Sequence, residues 1–146
     1  MENILVAIGQ TKDADKLIAQ AVKFATYSKG KIWIIHVATP DPDSLIGREA
    51  GPQFIYDQRA ENRKKEAAFI QQLAQDIREK YGIEAESILV QGAVSKVIRE
   101  KTEKYNIDLV IAGHRRKDFL YNLFTANNKK DLVDELKIPL LAVPLL

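Results

Sequence analysis

The sequence predicts a three-layer α/β sandwich built on a five-stranded parallel sheet. Three observations carry this reading. Short apolar runs alternate with segments of helical spacing along all 146 residues. The apolar runs are continuous rather than alternating, as strands buried on both faces require. Parallel strands need right-handed crossovers, and these lay helices on both faces of the sheet.

The elements follow in order. Ile4-Leu5-Val6-Ala7-Ile8 is the first strand. From Thr11 to Tyr27 the pattern turns helical, with Leu17, Ile18, Ala21, Val22 and Ala25 on one apolar face. Thr11 and Asp13 are its candidate N-caps, and Gly30 is its stop signal. Lys31 to Val37 is the second strand. Ala38 to about Gln58 reads as irregular, punctuated by Pro40, Pro42, Gly47, Gly51 and Pro52. A loop that long is either functional or a surface crossover. Arg59 to Tyr81 is a long helix with Ala60, Ala67, Ile70, Ala74, Ile77 and Tyr81 inward, ended by Gly82.

Glu86 to Val90 is the third strand, Gln91-Gly92 a turn, and Ala93 to Tyr105 a helix with Val94, Val97, Ile98 and Tyr105 inward. Asp108 to Gly113 is the fourth strand. A loop containing Phe119, Leu120, Tyr121, Leu123 and Phe124 follows, either closing the core or facing a partner. Phe54-Ile55-Tyr56 in the earlier loop raises the same pair of alternatives. A helix from about Asn127 to Leu136 and a fifth strand from Pro139 to Leu146 complete the pattern. No linker, repeat or low-complexity tract interrupts it, so residues 1–146 are expected to form one domain.

Composition removes several function classes. The chain is 46% hydrophobic and 29% charged, with a formal net charge of +2. That charge is too small to imply nucleic-acid binding, and no aromatics interleave with a basic stripe. There is no cysteine, so disulfides, zinc thiolates and thiol nucleophiles are excluded. No apolar run approaches the roughly 18 residues of a membrane span, and no signal pattern precedes the first strand. The expectation is a cytoplasmic protein with no membrane and no nucleic-acid partner.

One motif concentrates the functional question. Asp108-Leu109-Val110-Ile111-Ala112-Gly113-His114-Arg115-Arg116-Lys117 ends a buried strand in a glycine and then in cations. Ligands of open α/β sheets bind at the carboxyl ends of strands, and a glycine before a helix often cradles phosphate. Arg115, Arg116 and Lys117, with Lys129 and Lys130, form either an anion-binding rim or a solvated basic loop. His114 stands alone, without a triad or metal spacing. His36 reads as a packed strand histidine, hydrogen-bonded through one nitrogen. Asp41, Asp43 and Glu49 lack the dense oxygen pattern of a calcium loop.

In this order and spacing, five pieces resemble the universal stress protein family over essentially the whole chain. They are Ile4 to Ile8 before a polar turn, Ile34-Ile35-His36-Val37, Gly92 after the third strand, Asp108 to Gly113, and Ile138 to Pro144. The resemblance implies a Rossmann-like sheet, related to the adenine nucleotide alpha-hydrolases, in the order 3-2-1-4-5. Its switch point lies between the first and fourth strands, near Gly9 and Gly113.

Many members bind ATP there through Gly, two residues, Gly, nine residues, then Gly and Ser or Thr. Here those positions hold Gly113, Arg116, Ala126 and Asn127, and Gly9 stands where the family tends to carry an Asp. Of the five positions only Gly113 is retained. A side chain at Arg116 would occupy or cover volume that glycine leaves open, and any positive φ required there would be unfavourable for it. The resemblance therefore implies a member with a degenerate ATP motif: no cofactor held in the usual manner, no enzymatic activity, and a role as a homodimeric stress-response module with an unidentified protein partner. The alternative is a nucleotide- or anion-binding sensor. It would hold ATP or AMP with adenine between Val37 and Ala112 and phosphates on Gly113, His114, Arg115, Arg116 and Asn127.

The fifth strand is apolar and carries Pro144, which suits an edge position. In the family it pairs with its twin, so the dimer is expected through Pro139, Leu140, Leu141, Ala142, Val143 and Pro144. A hydrolase needs a Ser- or Gly-rich loop after the first strand, which Gly9-Gln10-Thr11-Lys12-Asp13 does not supply. A phosphoacceptor receiver needs an Asp where the third strand ends in Val90-Gln91.

Overall fold

The computed structural model describes residues 2–38, 52–114 and 136–145. The strands are β1 (Asn3–Ala7), β2 (Lys31–Ala38), β3 (Ala85–Gln91), β4 (Leu109–His114) and β5 (Leu140–Pro144). They pair in parallel in the order β3-β2-β1-β4-β5, as the resemblance implies. Among the described residues the connecting helices are α1 (Ala14–Ser28), α2 (Pro52–Tyr81) and α3 (Val94–Lys104).

Strand alternation divides the core between two faces. Ile4, Val6, Ile32, Ile34, Leu109, Ile111 and Val143 pack against Leu17, Ala21 and Ala25 of α1 and Ile70, Ala74 and Ile77 of α2. Leu5, Ala7, Ile35, Val37, Val110 and Ala112 pack against Val97 and Ile98 of α3. The central strands β1 and β4 are buried on both sides, which is why their sequences read as unbroken apolar runs.

Several boundaries depart from the sequence reading. Residues 52–58, expected to be irregular, already belong to α2, which starts at Pro52. Proline has no N–H to lose in a first helical turn, so it opens this helix rather than breaking it. The first helix begins as a 3-10 turn at Thr11–Asp13 before α1 proper. Asp13 holds the α1 N-cap position without a capping hydrogen bond. Its backbone is already helical (φ −96°, ψ −6°), whereas a capping side chain works from an extended one. The left-handed residue ending α1 is Lys29, not Gly30.

Ala60 and Tyr81, expected inward on α2, are exposed. Tyr81 is the last residue of the helix, where the chain turns away at Gly82 (φ +65°). The described part of the fifth strand stops at Pro144, short of Leu146. The loop aromatics Phe119, Leu120, Tyr121, Leu123 and Phe124, the start of the last helix at Asn127, and Asp41, Asp43 and Glu49 lie outside the described residues.

The amino end of the sheet is tied by polar contacts. Backbone N–H groups of Asn3 and Glu2 donate to Asp108 Oδ2 at 3.0 and 2.8 Å. These bonds hold the Asp108 carboxyl below the usual carboxylate range. Asn3 donates to the Asn106 carbonyl at 3.3 Å and accepts from Trp33 Nε1 at 3.2 Å. Tyr105, inward as expected, stacks on Trp33 with ring centroids 4.1 Å apart.

Candidate functional site

The carboxyl ends of the strands meet where β1 lies between β2 and β4. Ala7 of β1 registers with Ile35 on one side and Ala112 on the other. The two connections leave in opposite directions from this point, which opens a crevice in sheets of this kind. Gly9 follows β1 by two residues and is half-buried. Val37 is buried near the end of β2, and Gly113 is buried one residue before the end of β4. These three predicted residues thus share one edge of the sheet. His114, half-buried, closes β4 opposite Pro144. Arg115, Arg116 and Asn127, with Lys117, Ala126, Lys129 and Lys130, lie outside the described residues.

The surroundings of Gly113 decide what the retained glycine does. A phosphate-cradling glycine needs open space over its Cα. A Cβ built on Gly113 would overlap Leu145 Cδ1 and lie 3.0 Å from Leu145 Cγ. Leu145 is 3% exposed, and its N–H donates to the His114 carbonyl at 3.0 Å. The side of Gly113 where a side chain would project is therefore filled by the chain's own leucine. On that side the residues do not fit a phosphate group. Sequence reasoning missed Leu145. The available signal was register: Val143 pairs with Gly113, and strand alternation sends the residue two further on to the same side.

Two more groups near this edge were not singled out as site residues. Asp13, four residues past Gly9, is 4% exposed, a buried carboxyl at the head of α1. Glu66 on α2 meets His36, extending the line of Ile70, Ala74 and Ile77 toward the carboxyl end of the sheet. His36 behaves as expected through one nitrogen: Nδ1 lies 2.8 Å from the Ile8 carbonyl, so Nδ1 donates. Its Nε2 lies 3.5 Å from Glu66 Oε2. That oxygen is buried and makes no hydrogen bond, so the two groups lie close without a formed hydrogen bond between them.

An open cleft at the opposite end of the sheet is lined by Lys29, Gly30, Tyr81 and Glu84, among others. It collects the carboxyl ends of α1 and α2, whose dipoles disfavour anions, and none of the predicted site residues. No group of three or more metal-ligating side chains occurs among the described residues. No helix among them is long and apolar enough to cross a membrane.

A profile of the Universal stress protein family matches residues 1–144. The chain belongs to this family. Universal stress protein C of Escherichia coli O157:H7 is 31% identical over 143 residues, covering 98% of this chain and 95% of the relative. Among solved structures, universal stress protein UspA from Lactobacillus plantarum superposes with a TM-score of 0.69 at 15% identity, covering 97% of each chain. A family member from Arabidopsis thaliana with AMP bound gives 0.62 at 16% identity, covering 99% of this chain and 92% of that one. At these identities the solved structures speak for the fold of this universal stress protein, a Rossmann-like α/β sheet, and for nothing finer.

Proposed function

We propose that this universal stress protein is a homodimeric, non-catalytic regulatory module of the cytoplasm that does not hold ATP in the usual family manner. One observation carries the reading: Gly113, the single retained signature position, is packed under Leu145. The other four positions hold Gly9, Arg116, Ala126 and Asn127, none of the residue type the motif uses. The dimer is assigned to the fifth strand. β5 is the outer strand on its side of the sheet, and Ala142 and Pro144 along it are exposed. A free strand edge is an invitation to pair.

The test is direct. The purified protein is denatured and its supernatant chromatographed for adenine nucleotide, and the intact protein is melted with and without ATP. The reading expects an empty protein and an unchanged melting temperature. Bound nucleotide, or a clear upward shift, refutes it. Light scattering at micromolar concentration is expected to return twice the chain mass of 16.5 kDa.

A second reading keeps the site occupied. The Arabidopsis relative has AMP bound, and Gly9, Val37 and Gly113 share an edge here. On that reading the Gly113–Lys117 segment holds anions through side chains. Titration calorimetry with ATP, AMP and polyphosphate separates the two, since only the sensor gives heat.

A further inference from the structure

We infer that Leu145 denies a phosphate-bearing ligand the backbone at Gly113, so that the chain's own side chain sets what the end of β4 refuses. The inference rests on the reading above, that ATP is not held in the usual manner, and supplies a cause that the signature positions do not contain. Gly113 keeps the residue type of the motif but not its space. A Cβ there already overlaps Leu145 Cδ1 and comes within 3.0 Å of Cγ, so a phosphate oxygen on that side meets the same carbons. Leucine offers that oxygen no donor. A phosphate desolvated against it leaves its acceptors unpaired, which is strongly unfavourable.

Nor is Leu145 a loose flap. It is 3% exposed, bonded through its N–H to His114, and follows directly on Pro144, which registers against His114. Restoring glycines elsewhere in the motif leaves this obstruction standing. Arg116→Gly with Ala126→Gly is therefore insufficient by itself to recover a nucleotide site.

Titration calorimetry with ATP on the Arg116→Gly/Ala126→Gly protein, with and without Leu145→Ala, tests this. The expected result is that adding Leu145→Ala tightens ATP binding by about tenfold or more. Equal binding by the two proteins, or binding by neither while circular dichroism and a cooperative melt show both folded, overturns the inference. Should Leu145→Ala prevent folding, Leu145→Val carries the same comparison, because it drops the overlapping Cδ1 and keeps most of the apolar volume. The unaltered protein is titrated alongside. Tight ATP binding by it refutes the proposed function and this inference together, whereas an empty unaltered protein with no gain from Leu145→Ala overturns the inference alone and leaves the proposed function standing.

Discussion

Replacing Gly113 by alanine adds one methyl group where the structure has no room for it. The new carbon overlaps Leu145 Cδ1 and sits 3.0 Å from Cγ, against an ordinary carbon–carbon contact of about 3.5–4.0 Å. Leu145 must swing away. At 3% exposure it swings into neighbours rather than into water. Overpacking of this kind costs about 1–3 kcal/mol. For a chain of this length that lowers the melting temperature by about 3–9 °C. Leu145→Ala alone removes a buried side chain and costs about 2–5 kcal/mol. In the double variant each change relieves the other: the new methyl enters the space the leucine vacated. The two penalties should fall short of additivity by about 1–2 kcal/mol. Urea denaturation of the four proteins, followed by circular dichroism, measures this coupling. A Gly113→Ala protein as stable as the parent would sink the argument, as would a double variant whose loss equals the sum of the singles.

Three other perturbations follow from the contacts. Asp108→Asn should destabilise by about 0.5–1 kcal/mol at neutral pH, a figure kept low because the carboxylate is exposed. The Asp108 carboxyl is held below its usual range by Asn3 and Glu2 N–H groups, so its contribution is full above about pH 4 and disappears as pH falls through the lowered native value. Urea midpoints of parent and variant should therefore converge on acidification; a gap that persists or widens contradicts the assignment. Glu66→Gln should raise the urea midpoint, because Glu66 Oε2 is buried without a hydrogen bond 3.5 Å from His36 Nε2 and an amide N–H in its place can donate to that nitrogen. Ile34→Ala, at a fully buried site between α1 and α2, should cost about 2–5 kcal/mol, and a loss below about 1 kcal/mol would mean the core is not packed as described.

Much of the fold was legible because strands buried on both faces leave a plain trace. Ile4 to Ala7 and Leu109 to Ala112 are apolar at every position, and no helical period fits them. The start of α2 was not legible, since Gly51-Pro52 is a breaker in most contexts and an opener only when a helix follows. Tyr81 misled for a related reason: its phase on the helix is inward, but the helix ends there. The site divides along the same line. Its location followed from topology, because Gly9, Val37 and Gly113 each close or follow a strand. Its contents depend on register and on helical phase across distant segments. Leu145 over Gly113 needs the β4–β5 pairing. Glu66 beside His36 needs both the parity of β2 and the rotation of α2. Neither is written in local spacing.

The position of β1 carries a consequence for synthesis. Its neighbours are β2, starting at Lys31, and β4, starting at Leu109. A growing chain completes β1, β2 and β3 while β4 is still being made. Throughout that interval the apolar backbone edge of Ile4–Ala7 has no partner of its own and stands open to any other chain. A message cut short before codon 109 leaves β1 as an outer strand. It yields a half-sheet whose most hydrophobic strand is its rim, a substrate for chaperones and proteases.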